Sequence, residues 1–246
     1  MDRSKFYESL RARNSGVFGT SLSQTQVNGT EALLNEGQSI GLPLRQLAYV
    51  LATAYHETAR TMLPIEEYGK GKGRPYGKPA GPYDKIYFGR GFVQLTWLEN
   101  YQHAGEVLGI NLVKFPEKAL DLDIASEILF RGMMEGWFTR KKLSDYISGD
   151  KADYVNARRI VNGMDKAELI AGYAKAFETA LRAAGYIGQA PKTLLTPAEK
   201  PAETVVVTPA APQSPPPEPA PQASTPPVKR SLLQIILDII FRRKGA

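Results

Sequence analysis

Residues 43–59 read Pro-Leu-Arg-Gln-Leu-Ala-Tyr-Val-Leu-Ala-Thr-Ala-Tyr-His-Glu-Thr-Ala. Leu44, Leu47, Ala48, Leu51, Ala54 and Tyr55 recur at three- and four-residue steps, the spacing of one face of a helix. Pro43 suits the first turn of that helix, and Pro64 bounds it downstream. The pattern therefore predicts an amphipathic helix over Pro43–Ala59, with the charged residue Glu57 near its end. On helical angles Glu57 lies beside Val50 and Ala54, at the margin of the apolar stripe. A half-desolvated carboxyl is the usual setting for general-acid work near neutral pH.

Outward from this helix the next 27 residues change character. Residues 65–91 contain seven glycines and four tyrosines, a composition that breaks helices and suits turns or a short hairpin. Helical patterning resumes from Trp97 to Leu108, again from Asp123 to Phe138, and from Asp153 through Leu169–Ala184, with Gly185 as C-cap. The expectation is a mainly α domain over residues 1–187, with a small β-hairpin or irregular lobe near residues 65–91.

Beyond that domain the composition shifts. Twelve of the 18 prolines fall between residues 191 and 228, so residues 188–228 read as an extended, disordered linker. Residues 229–246 come next as a basic amphipathic helix, whose segment Ser231–Phe241 (SLLQIILDIIF) is flanked by Lys229, Arg230, Arg242, Arg243 and Lys244. Eleven helical residues rise about 16 Å, roughly half of a hydrocarbon core, so this segment suits the surface of an anionic membrane rather than its interior. Docking onto a partner protein or onto the catalytic domain is the rival reading.

The net charge of +6 divides unevenly, with +4 on residues 229–246, −1 on 191–228 and +3 on 1–190. A basic excess on the tail, with a mildly basic body, argues against a nucleic-acid partner. The chain has no cysteine, which excludes disulfides, a thiol nucleophile and a cysteine zinc site. The first residues, MDRSKFYESLRARN, carry charge and no apolar stretch, so the reading is of a protein made and kept in the cytosol.

Two motif-like stretches fail on their chemistry. His56-Glu57-Thr58-Ala59-Arg60 begins like the zinc motif H-E-x-x-H, but Arg60 stands where the second histidine is required. Gly73 to Gly77-Lys78 lacks one residue of a phosphate loop and has Pro79 in place of Ser or Thr. What remains is a set of carboxylates, Glu57, Glu66 and Glu67, around a glycine-rich loop. Paired carboxyls flanking a bond are the equipment of glycoside hydrolysis; the competing reading pairs Glu57 with Arg60 at the surface and leaves Glu66 and Glu67 as solvated charges. His56 orients the helix end, His103 is a surface or satisfied core residue, and Met133, Met134, Trp137 and Phe138 are core.

The stretches Ala54-Tyr55-His56-Glu57-Thr58-Ala59, Tyr87-Phe88-Gly89-Arg90-Gly91-Phe92-Val93-Gln94-Leu95-Thr96-Trp97, Asn100-Tyr101 and Arg159-Ile160-Val161-Asn162-Gly163 resemble successive motifs of glycoside hydrolase family 19. That family comprises class I type chitinases and phage endolysins of lysozyme-like fold. The resemblance covers roughly residues 1–187. It implies Glu57 as general acid and either Glu67 or Glu66 as the second carboxylate, with Glu67 favoured because the family's pair ends on the functional residue. It further implies that Gln94, Asn100, Tyr101 and Asn162 line a sugar groove. Tyr87 and Trp97 either pack on sugar faces or fill core, Thr139 is a candidate for holding the attacking water, and Arg90 buttresses the site through a carboxylate.

The implied activity is hydrolysis of β-1,4 bonds between N-acetylated aminosugars, with peptidoglycan or chitin as polysaccharide partner. An inverting route needs two carboxylates and water, hence no metal and no organic cofactor. The absence of cysteines and of a separate chitin-binding domain, unlike secreted plant members, favours an endolysin of phage or prophage origin. Such a hydrolase stays cytoplasmic until the inner membrane is opened, commonly by a phage holin, and then acts on the wall in the periplasm. The remaining alternative is a catalytically silent wall-binding module.

Overall fold

A computed structural model describes residues 1–188. The expected linker, apart from its first residue, and the expected helix at 229–246 lie outside the described residues. Among the described residues seven α-helices run in chain order: α1 (Arg3–Arg11), α2 (Gln24–Ser39), α3 (Leu44–Glu57), α4 (Leu98–Leu108), α5 (Leu122–Glu135), α6 (Leu143–Tyr146) and α7 (Ala167–Ala183). Two short antiparallel pairs accompany them: β1 (Ile65–Glu66) with β2 (Arg90–Gly91), and β3 (Ile147–Ser148) with β4 (Lys151–Ala152). The mainly helical architecture with a small strand lobe is the one expected, and β1 with β2 closes the glycine-rich segment into that lobe.

The central helix is α3, and here the structure departs from an amphipathic reading. Every residue from Leu47 to Glu57 is buried. The small side chains Ala52 and Thr53, outside the apolar stripe, let neighbours close on those faces. α7 packs most extensively on α3, and α2, α5 and β3 also contact it. Between α1, α3 and α7 sits an aromatic cluster in which Phe6 stacks on Phe177 at 6.5 Å and Tyr55 meets Phe177 edge-on at 6.1 Å.

Local signals account for most helix ends. α2 starts with a full capping box, in which the Ser23 side chain accepts from the Gln26 N–H and the Gln26 side chain answers the Ser23 N–H. α5 stops at Glu135, three residues short of the expected Phe138, because Gly136 takes a left-handed conformation (φ 86°) that caps it. The patterning read from Asp153 onward splits into a 3-10 turn, Asn156–Ile160, and α7, with Gly185 in the left-handed region beyond the latter. The two ends of the described domain then meet. The Asp2 N–H donates to the Ala184 carbonyl at 2.8 Å, and the Tyr186 hydroxyl lies 2.8 Å from the Leu42 carbonyl and 3.0 Å from that of Gly37.

Candidate active site

Glu57 is the last residue of α3, and the backbone reverses sharply just beyond it. Ala59, Arg60 and Met62 all have positive φ (51°, 70° and 58°), a region that costs a non-glycine residue about 1–2 kcal/mol each. The turn is held by Thr58, whose hydroxyl donates to the Ala54 carbonyl (2.8 Å) and accepts from the Met62 N–H (3.0 Å). Gln26 of α2 adds a bond from its side-chain amide to the Arg60 carbonyl at 2.8 Å. Glycine is required at position 29 of α2, because a Cβ there would overlap the Met62 carbonyl.

This strained end delivers a buried carboxylate to a buried cation. Glu57 is 6% exposed and Arg158, in the Asn156–Ile160 turn, is 1% exposed; Arg158 Nη1 donates to Glu57 Oε1 at 2.5 Å. The structure thus shows Glu57 fully rather than half desolvated, and its partner is Arg158, not the Arg60 of the competing reading. Around the pair, His56 Nε2, Arg158 Nη2 and Asp165 Oδ2 are buried without hydrogen-bond partners among the described residues. Native proteins rarely leave such groups unpaired outside functional sites. Burial holds the His56 imidazole below its ordinary value, opposed by the field of Glu57 and reinforced by that of Arg158.

The second carboxylate pair sits at the lobe. Glu67 is 7% exposed and accepts from neutral donors: the Tyr76 hydroxyl to Oε1 at 2.8 Å and the Gly89 N–H to Oε2 at 3.1 Å. The Glu67 N–H donates back to the Gly89 carbonyl at 2.7 Å, so side chain and backbone are both anchored to one residue. Glu66, half-buried, is instead committed to cations, with Lys70 Nζ at 2.7 Å and Arg90 Nε at 3.6 Å. Arg90 meets a carboxylate as expected, but most of its bonding is internal: Nη1 reaches the Tyr101 hydroxyl (3.0 Å) and the Ile86 carbonyl (3.2 Å), and its guanidinium lies 3.5 Å over the Phe88 ring.

The polar residues expected along the groove separate into two sets. Tyr101 is fully buried, its hydroxyl donating to the Phe88 carbonyl at 2.8 Å, so it is a core brace and not a groove residue. Tyr87 is likewise core, with its hydroxyl on the Val113 carbonyl at 2.9 Å. The two rings pack on each other, with centroids 5.3 Å apart.

Gln94, at φ 56°, spends its amide N–H groups on the carbonyls of Ile65 (3.1 Å) and Gly91 (3.3 Å), and its Oε1 is buried without a partner among the described residues. A Cβ on Gly89 would stand 2.9 Å from that Oε1 and 3.3 Å from Glu67 Cβ, so the glycine is what lets Gln94 and Glu67 lie side by side. Asn100 is exposed, its amide donating to the Thr96 carbonyl at 2.7 Å. Asn162 is half-buried, with Oδ1 accepting from the Gly163 N–H at 2.8 Å. The Thr139 hydroxyl lies 2.6 Å from the Arg159 carbonyl and 2.9 Å from that of Ile160, tying down the turn that carries Arg158.

Two contributors escaped the sequence reading, Arg158 and Tyr76. Arg158 stands one residue before a motif segment, and its signal is a charge between Ala157 and Ile160, both fully buried. Tyr76 lies among glycines, where nothing in the spacing marks it. Among the described residues no group of three His, Cys, Asp or Glu lies close enough to hold a metal ion.

No protein-family model matches the chain. An endochitinase of Arabidopsis thaliana is 32% identical over 108 residues, covering 42% of this chain and 35% of that protein. A second endochitinase of the same plant is 38% identical over 77 residues, covering 30% of this chain and 26% of that protein. The chain resembles chitinases. Its match spans about a third of the length of these curated relatives. Chitinase C from Streptomyces griseus overlays on it with TM-score 0.49 and 20% identity, covering 75% of this chain and 76% of that one. A bacterial family 19 chitinase overlays with TM-score 0.34 and 21% identity, covering 70% and 93%. At such scores the overlays decide nothing about the fold, which rests on the helices described above.

Proposed function

We propose that this chain is a glycoside hydrolase that cuts β-1,4 bonds between N-acetylated aminosugars, with peptidoglycan as its physiological substrate. The observation that carries the reading is the pair of buried carboxylates ten residues apart in sequence, held in opposite ways: Glu57 by a guanidinium, Glu67 by a phenol and an amide. Glu57 serves as the acid: it must first take up a proton, which it gives to the leaving glycosidic oxygen, and the carboxylate so regenerated is the anion that pairs with Arg158. Glu67 serves as the base, taking a proton from the attacking water on the other face of the sugar, so the anomeric configuration inverts. Tyr76 and the Gly89 N–H aim its lone pairs. Glu66, already occupied by Lys70, is the less suitable base.

The lobe also bears on the choice between substrates. Lys72 and Lys78 are exposed and Arg74 is half-buried, beside the turn that holds Tyr76. Chitin is uncharged, whereas the stem peptides of peptidoglycan carry carboxylates that this basic loop would attract. Absence of cysteine suits release from a reducing cytosol, as in a phage endolysin. Residues 231–241 with their flanking basic residues would then add a reversible hold on an anionic membrane surface.

The test is a comparison of purified protein on peptidoglycan and on chitin oligomers. Mass spectrometry of the products identifies the bond, since a reducing-end muramic acid and a reducing-end glucosamine report different cleavages. Cleavage that survives exhaustive chelation is expected. Binding without cleavage would replace the enzyme reading with a wall-binding module, and cleavage of chitin alone would remove peptidoglycan.

A further inference from the structure

Trp97 stands immediately before α4 with φ 78° and ψ 141°, a backbone conformation that ordinarily falls to glycine. A tryptophan occupies it instead. Two backbone bonds maintain the strain, from the Trp97 N–H to the Tyr87 carbonyl (2.9 Å) and from the Tyr101 N–H to the Trp97 carbonyl (3.2 Å). The indole is not used to fill the core, for the residue is 45% exposed. It meets the ring of Tyr76, edge to face at 5.2 Å and 73°. Tyr76 in turn donates its hydroxyl to Glu67. A strained residue that presents a large aromatic to solvent, one ring away from a buried carboxylate, has the attributes of a ligand contact.

We propose that Trp97 is the stacking platform for one aminosugar ring of the polysaccharide, and that Tyr76 links this platform to Glu67. The proposal rests on the glycosidase reading above. A pyranose ring offers a face of C–H groups whose slight positive charge matches the negative face of the indole, and the large apolar surface supplies the rest of the attraction. Because Tyr76 leans on the indole with its ring and on Glu67 with its hydroxyl, a sugar seated on Trp97 bears on the group that orients the carboxylate. Trp97 is thus a binding residue and Tyr76 a positioning residue.

The experiment uses full-length protein and a soluble chitin oligomer and peptidoglycan fragment as probes. Trp97→Gly is the informative variant, since glycine accepts the backbone conformation while removing the indole. Its thermal midpoint should not fall, while KM rises about five- to tenfold with kcat changed less than about threefold. Trp97→Phe should recover most of the KM. In the Glu57→Gln background, which prevents turnover, the probe should change tryptophan fluorescence, and Trp97→Phe should abolish that change although Trp137 remains. Tyr76→Phe, which removes only the hydroxyl, should lower kcat and displace the acidic limb of the pH profile with KM unaltered. An unchanged KM in Trp97→Gly, or a fluorescence response that persists without Trp97, overturns the platform. A Tyr76→Phe profile superimposable on the original overturns the link. If the unaltered protein neither binds nor cleaves either probe, the glycosidase reading falls and this proposal with it; normal cleavage alongside an indifferent Trp97 defeats this proposal alone.

Discussion

Arg158 and Glu57 lie 101 residues apart in the chain and share a buried ion pair at 2.5 Å, the contact that joins the end of α3 to the turn before α7. Removing one partner of such a pair leaves an uncompensated buried charge. Arg158→Ala should therefore lower unfolding free energy by about 3–5 kcal/mol, measured by urea titration. Glu57→Gln keeps a hydrogen-bond acceptor for Arg158 but no longer offsets its buried charge, so it too should lose stability in the urea titration, while kcat falls by at least about 100-fold. Full activity in Glu57→Gln would end its assignment as the acid.

Glu67 and its neighbour Glu66 should behave differently despite their adjacency. Glu67→Gln should reduce kcat by about 10²–10⁴-fold, the contribution of a positioned base. Glu66→Gln breaks an exposed contact with Lys70 and a long, 3.6 Å contact with the buried Arg90, which keeps its bonds to Tyr101 and Ile86, and should retain activity within a few-fold. The reverse result on peptidoglycan fragments would exchange their roles.

Gly29→Ala tests the packing that shapes the reversal after Glu57. The added Cβ meets the Met62 carbonyl, which belongs to the backbone and cannot rotate aside. A loss of about 1–3 kcal/mol or more is expected, read as a lower thermal midpoint together with reduced kcat. Wild-type stability in Gly29→Ala would show that the turn is not held as tightly as described.

Burial keeps the folded-state His56 imidazole below its ordinary value of 6.5. As pH falls through 6.5 the unfolded chain takes up a proton there and the folded chain does not, so His56 removes stability below that point until its own lowered value is reached. Asp153, held low by the Asn156 side chain and N–H, contributes in a separate and more acidic window. Glu178 does so too, because its bonds from Arg182, Tyr154 and Arg45 outweigh its burial. Glu36, raised by burial, acts in the opposite sense, so the quantity to measure is the difference between the unaltered protein and His56→Gln. Between pH 7 and about 5 the variant should lose less stability. Parallel stability curves would refute this account of His56.

Residues 229–246 should carry membrane affinity. Full-length protein should float with anionic liposomes and a chain ending at Val228 should not, while both keep the same activity on soluble fragments. Equal flotation, or none by either, would remove the membrane reading and leave the glycosidase reading intact.

Sequence alone determined the helical class, the lobe and the places of α3, α4, α5 and the end of α7, because these depend on near neighbours, whereas α1, α2 and α6 are not among the helices it predicts. The apolar spacing of residues 44–55 makes α3 wherever it is placed, seven glycines in 65–91 forbid a helix there, and Gly185 suits only a helix terminus. The capping box at Ser23 and Gln26 obeys the same local logic, though its signal lies in a stretch with little apolar periodicity. What tertiary structure decided is which polar groups face each other. Tyr101 and Trp97 are four residues apart in one motif, yet one is a core brace and the other stands in solvent, because helix α4 turns one toward Arg90 and a strained backbone turns the other away. The partner of Glu57 is likewise beyond any local pattern. A charge as deeply buried as Arg158 is tolerated only where another element brings an opposite one to it, and that meeting exists only once α3 and the turn before α7 have packed.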